Sequence, residues 1–184
     1  MKGKTRQLTE SAIMIALAAV LSMISIGRLP NGGSITAASM VPIIIIALRA
    51  KPSWAILTSV TYACVQMLMG FYPPPVQSIG WFIAVILLDY VIAYGVLGCA
   101  GLIAKPFRNR RTGAMVATAA VLLARFACHF LSGIIVWGSG DPEVPAWLFS
   151  LTYNGSYMGP ELVISVAVIA LLSRIIYTGL PKEA

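Results

Sequence analysis

Four ionisable side chains, Asp89, Arg125, His129 and Glu161, stand inside long hydrophobic runs. A charged side chain at the centre of a membrane-spanning helix costs roughly 2.5–3.5 kcal/mol on insertion scales, so such residues turn into a bundle interior and find partners there. Arg125 and His129 are four residues apart and share one helix face. Gly133 and Trp137 continue that stripe, Tyr90 follows Asp89, and Ala93-Tyr94 lie one turn on. A third cluster gathers Trp147, Phe149, Tyr153 and Tyr157 around the amide of Asn154. One by one, these residues have plain structural readings. Aromatic rings near a membrane surface form an interfacial belt. Asp89 and Arg125 make an ion pair that sets helix register, His129 bonds a backbone carbonyl, and Glu161 is a structural partner. Together, a carboxylate, a cation, an imidazole, an indole and an amide on three helices describe a pocket. Its aromatic walls and buried acid suit a flat, cationic, heteroaromatic ligand, held by cation–π contacts of about 0.5–2 kcal/mol each.

The elements that must position these residues follow from composition. The 184 residues are 59% hydrophobic and 10% charged, with a mean hydropathy of +0.88. A soluble domain carries roughly 45–50% apolar and about 25% charged residues. The excess apolar surface calls for lipid. Spans of about 20 apolar residues are expected at 8–26, 35–48, 53–71, 76–104, 113–137 and 147–177. They make an all-α, single-domain, polytopic membrane protein, a bundle of six transmembrane helices. The breaks are Gly27–Gly33, Pro73–Pro75 and the polar loop Gly138–Pro145. The second span is short, which implies tilt, a kink at Pro42 or a re-entrant path. Lys2, Lys4 and Arg6 precede a long apolar run with more spans behind it, which reads as a first span rather than a signal peptide.

If six spans alternate, Lys2, Lys4, Arg6, Arg49, Lys51, Lys105, Arg108, Arg110, Arg111, Arg174 and Lys182 fall on one side. Only Arg28, with Asp141 and Glu143, falls on the other. The positive-inside rule then places both termini in the cytoplasm. The net charge of +7 sits in breaks between spans rather than on one polar surface, which argues against a nucleic-acid partner. Cys64, Cys99 and Cys128 are far apart in apolar runs, with no metal or disulfide spacing. No H-E-x-x-H or G-x-S-x-G grouping marks an enzyme, no cofactor motif is present, and no Walker sequence offers ATP hydrolysis. A small intramembrane enzyme and an autonomous proton-coupled carrier, each using Asp89 and His129, are the rival classes. The carrier lacks the paired interrupted helices in two repeated halves typical of that class.

The segments Arg125-Phe126-Ala127-Cys128-His129-Phe130-Leu131-Ser132-Gly133, Trp137-Gly138 and Tyr153-Asn154-Gly155-Ser156-Tyr157, with Asp89-Tyr90, carry a resemblance. Gly32-Gly33-Ser34 adds weaker support. The chain resembles the substrate-binding S component of energy-coupling factor (ECF) vitamin transporters, most closely the thiamine-specific members, over nearly its whole length. That resemblance implies six helices and high-affinity capture of thiamine, another vitamin or a thiamine precursor outside a bacterial plasma membrane. It also implies delivery inward with a membrane-embedded coupling subunit and two cytoplasmic ATPases. It implies substrate-binding roles for Asp89, Tyr90, Arg125, His129, Trp137, Phe149, Tyr153 and Asn154. Asp89 would offset the thiazolium charge or accept from the aminopyrimidine. His129 and Trp137 would stack, Tyr90 and Asn154 would supply polar contacts, and Arg125 would hold Asp89. Two positions depart from the pattern: Asp89-Tyr90 stands where Glu-Tyr is usual, and Phe149 where a Tyr is expected. Ala12 and Ala16, four apart on the first span, match the small-residue seam that faces the coupling subunit.

Overall fold

Apolar runs broken by Pro and Gly fold into six helical rods in the computed structural model, which describes residues 2–177. Lys182, counted above, lies outside the described residues. The rods are α1 (Lys2–Met23), α2 (Val41–Arg49), α3 (Pro52–Met69), α4 (Ile79–Ala104), α5 (Arg110–Trp137) and α6 (Ala146–Ile176). Four of them, α1, α4, α5 and α6, are long and apolar enough to cross a membrane. Their starts follow local chemistry. Pro42 and Pro52 sit in the first turns of α2 and α3, where a missing N–H leaves no bond unmade. Asn109 Oδ1 accepts from the Arg111 and Thr112 N–H groups and caps α5. Outward faces are apolar: Leu68, Ile79 and Leu171 are 88%, 81% and 78% exposed, which suits lipid and not water.

Two expectations need correction. The first expected span ends early at a short hairpin in the otherwise helical fold, where β1 (Ser25–Arg28) pairs antiparallel with β2 (Ser34–Thr36) around a turn at Pro30–Gly32. Residues 24–26, expected at the end of the first span, leave the helix after Met23 so that Ile24 can accept from Ala37 N at 3.1 Å. The second expected span, 35–48, is helical only from Val41. Nine residues rise about 13 Å, less than half of a ~30 Å hydrocarbon core. Pro42 begins this helix rather than kinking it, and Val41, Pro42, Ile43, Ile44, Ile46, Ala47 and Leu48 are all buried. The element is a core helix, apolar all round because protein surrounds it.

The core joins Ile43 and Ile44 of α2, Tyr62 of α3, Val85 and Leu97 of α4, Val121 of α5 and Ile169 of α6. Close backbone approach sets two of its contacts. A Cβ on Gly98 would lie 2.6 Å from the Ile56 backbone, and one on Gly133 would lie 2.7 Å from Ser150 Cβ. At one end, Arg49 bridges Glu10 at 2.9 Å and donates to the Ile176 carbonyl, and Arg110 lies 5.2 Å from the Tyr177 ring centroid. The start of α1, the end of α2, the start of α5 and the end of α6 therefore meet at that end. Two rods carry wide turns: Ile86–Val91 in α4 and Gly133–Trp137 in α5 are π-helical.

Candidate functional site

The two π turns flank one cavity. A π turn inserts an extra residue and re-aims the side chains around it, which is why such turns recur at functional sites. In α4 the turn contains Asp89 and Tyr90, and in α5 it ends on Trp137. Asp89 Oδ2 accepts from Trp137 Nε1 at 3.2 Å and from Ser132 Oγ at 2.7 Å. Its Oδ1 faces His129 Nδ1 at 3.0 Å. Opposite a carboxylate, Nδ1 carries the proton, and Nε2 is buried without a partner. It is the ring atom left for a ligand.

The cavity encloses roughly 190 Å³, far above the ~10–15 Å³ that holds one water, so it is not a packing defect. All eight residues read from the sequence as substrate-binding line it: Asp89, Tyr90, Arg125, His129, Trp137, Phe149, Tyr153 and Asn154. The hairpin contributes Gly33, Ser34 and Thr36, α1 adds Ser22 and α3 adds Gln66. The 138–145 loop contributes nothing to the lining. Of the Asp, Glu, Lys and Arg side chains at the wall, Asp89 and Glu161 outnumber Arg125 by one.

Several roles differ from those inferred. Arg125 does not hold Asp89: its Nη1 lies 3.8 Å from Glu161 Oε2 and its guanidinium sits 4.8 Å from the Tyr94 ring centroid. It is one turn from His129 along α5. On α4, Asp89 meets His129, so the residue that meets Arg125 is Tyr94, one turn further on. His129 bonds Asp89 and not a backbone carbonyl. Tyr90 turns its hydroxyl to the chain, donating to Gly70 O and accepting from Tyr72 N, each at 3.2 Å. Asn154 is likewise engaged locally: its amide donates to Ser150 O at 3.0 Å, and its oxygen accepts from Tyr157 at 2.9 Å. Tyr153 donates to the Pro30 carbonyl and accepts from Gly33 N at 3.0 Å, pinning the hairpin turn to α6. Phe149 and Tyr153 stack at 5.7 Å between centroids, and Tyr157 meets Tyr153 edge-on at 5.7 Å. Tyr157 is 7% exposed and belongs to the cavity wall, whereas Trp147, at 53%, faces outward as a belt residue would.

Sequence reasoning missed Thr36, Ser39, Gln66, Tyr72 and Ser132. Gln66 alone carried a signal, an amide in an apolar run. Its Nε2 donates to Tyr62 Oη at 2.5 Å, and Tyr62 donates onward to Ala18 O at 3.3 Å. The others are common residues in such helices and loops, and only the fold brings Thr36, Ser39 and Tyr72 to the cavity and Ser132 to Asp89.

These features define a membrane-embedded helical bundle with a polar, aromatic-walled cavity closed on one side by a short hairpin. Residues 8–178 match the thiamine transporter protein family, and the chain belongs to that family. It is 34% identical over 180 residues to the thiamine transporter ThiT of Bacillus subtilis (strain 168), covering 90% of this chain and 89% of that one. Its fold is similar to that of ThiT from Listeria monocytogenes, with a TM-score of 0.76 at 22% identity over 97% of this chain and 100% of that one. It is also similar to the S component for biotin from an ECF-type ABC transporter, with a TM-score of 0.60 at 19% identity over 97% and 94%.

Proposed function

We propose that this protein is the thiamine-binding S component of an ECF-type importer in a bacterial plasma membrane. The observation that carries the reading is Asp89, its side chain 13% exposed, in an aromatic cavity whose formal charges sum to one negative. Thiamine carries one fixed positive charge on its thiazolium ring and a flat aminopyrimidine beside it. A water-poor site strengthens the attraction between that charge and the carboxylate. Asp89 offsets the thiazolium, and His129 Nε2 meets a polar atom of the ligand. Trp137, Phe149 and Tyr153 supply ring surface. Tyr90, Asn154 and the Arg125–Glu161 pair hold the wall in shape.

The transport reading takes six membrane elements with both termini in the cytoplasm. Its support is the meeting of Glu10, Arg49, Arg110 and Tyr177 at one end, which gathers the basic breaks on one side. A coupling subunit and two ATPases supply the energy. Ala12 and Ala16, both exposed on α1, form the seam for the coupling subunit. Titrating the purified protein with thiamine while following tryptophan fluorescence tests the ligand: saturable quenching is expected, and a flat response to thiamine beside a saturable one to another vitamin reassigns the site. Uptake by the chain alone in liposomes, with no ATPase present, overturns the S-component reading in favour of an autonomous carrier.

A further inference from the structure

The second carboxylate of the cavity, the buried Glu161, binds a turn of the chain. Its Oε1 accepts from Thr36 Oγ1 and lies 3.4 Å from Ser39 Oγ, while Oε2 faces the Arg125 guanidinium at 3.8 Å. Thr36 and Ser39 also bond each other, Oγ to Oγ at 2.7 Å, and Thr36 Oγ1 accepts from Ser39 N at 3.3 Å. Thr36, Ser39, Arg125 and Glu161 are 5%, 0%, 6% and 3% exposed, so water competes for none of these bonds. Between the two hydroxyl residues, Ala38 has φ +58, the one positive value outside glycine among the described residues. An L-residue holds that conformation only where its surroundings impose it.

This turn is the root of the hairpin. β2 ends on Thr36, and α2 starts at Val41. Further along, Tyr153 grips the hairpin tip through Pro30 and Gly33. The same helix, α6, thus holds the hairpin at two places, and both grips face the cavity. The tip grip uses a phenol and two backbone groups. The root grip uses a carboxylate oriented by a buried cation, and hydrogen bonds to a charged acceptor are the stronger kind.

We propose that Glu161 is a positioning residue: oriented by Arg125, it latches the Thr36–Ser39 turn to α6, and ligand leaves the cavity only when this latch opens. The proposal rests on the binding reading above for its ligand arm and on the fold alone for its backbone arm. Thr36→Val keeps the side-chain shape, removes the hydroxyl, and leaves the Arg125–Glu161 pair intact. In ligand-free protein, it should raise amide hydrogen exchange across residues 34–40 by about tenfold, and leave α3 and α5 unchanged. In stopped-flow fluorescence, it should raise the thiamine association and dissociation rates together, each by about tenfold, because entry and exit pass the same latch, and leave the affinity within about twofold. Glu161→Gln, which also leaves Arg125 without its counter-charge, should raise both rates at least as much, and adding Thr36→Val to it should make them no faster, since both changes break one latch. If Glu161→Gln does not fold, Thr36→Val paired with Ser39→Ala takes its place. Unchanged exchange at 34–40 in Thr36→Val, or rate effects that multiply in the double variant, overturns the latch. Faster dissociation with unchanged association also overturns it, because that marks a lost ligand contact. Wild-type protein that binds no thiamine overturns the functional reading instead, and the exchange arm still decides the latch.

Discussion

At the scale of single residues, Asp89 is the centre of the site. Three donors converge on it, from Ser132, Trp137 and His129, and they hold a carboxylate in a place where lipid would reject one. Asp89→Asn retains the shape and loses the charge. It should weaken thiamine binding by about 10²-fold, a cost of the size found when a buried charge pair is broken. It should weaken a neutral analogue without the thiazolium charge much less. Equal losses for both ligands, measured by calorimetry, would rule out charge pairing. Ser132 is fully buried and donates to Asp89. Ser132→Ala should reduce affinity by about tenfold or more without loss of fold, since a hydrogen bond to a charged group contributes about 1.5–3 kcal/mol and the change leaves Asp89 two other donors.

At the scale of elements, the hairpin is held by contacts that tolerate no extra atom. A Cβ on Gly33 would lie 2.8 Å from Tyr153 Oη and 2.9 Å from the Tyr157 ring. Gly32 has φ +89, and a Cβ there would lie 2.5–2.9 Å from the Tyr72 ring. Gly27, on the opposite strand, has open space around it. Gly32→Ala and Gly33→Ala should therefore each lower thiamine affinity by about tenfold or more by displacing the tip, while Gly27→Ala should bind as wild type. A titration in which all three behave alike would mean the tip is not a wall of the ligand site. The α5–α6 pair is built differently. Gly133 admits Ser150, which donates to Phe130 O at 2.8 Å, and Asn154 reaches His129 O at 3.4 Å. Side-chain bonds to backbone carbonyls replace apolar packing where two spanning helices line a polar cavity.

At the scale of the whole molecule, the Arg125–Glu161 pair ties α5 to α6 with both charges buried. Removing one partner leaves the other uncompensated. Arg125→Met should destabilise the protein by about 3–5 kcal/mol, and Arg125→Met with Glu161→Leu should recover part of that loss, because an apolar pair needs no desolvation while Thr36 and Ser39 lose their carboxylate acceptor. Thermal unfolding in detergent reads both; a double variant no more stable than the single would mean that Arg125 acts through Tyr94 rather than Glu161. Transport belongs to this scale too. Ala12→Trp with Ala16→Trp fills the exposed face of α1, away from the cavity lining. It should abolish assembly with the coupling module and uptake, while thiamine titration stays at the wild-type value. Normal uptake by this variant would exclude the seam.

Much of the site was legible before any fold. Ionisable residues in apolar runs have few reasons to be there, so Asp89, Arg125, His129 and Glu161 announced a cavity by their cost alone. Helical periodicity put Arg125, His129 and Trp137 on one stripe, and the apolar runs located the long rods. Pairing was not legible, because it depends on the relative depth of two helices, and a π turn shifts that depth without a mark in the sequence. Arg125 therefore met Tyr94 and Glu161, and Asp89 met His129. The hairpin was hidden for a related reason. Ile24 through Thr36 is apolar enough to read as helix edge and loop, and β pairing is decided by which backbone groups find each other across the turn. The sequence by itself determined a helical bundle suited to lipid with a polar interior, and eight residues read from it line the cavity. Only the tertiary structure decided which charge faces which, that the second hydrophobic run is a buried helix of nine residues, and that serine and threonine hydroxyls fasten the hairpin to α6. Those outcomes rest on contacts between distant segments, and local chemistry does not encode them.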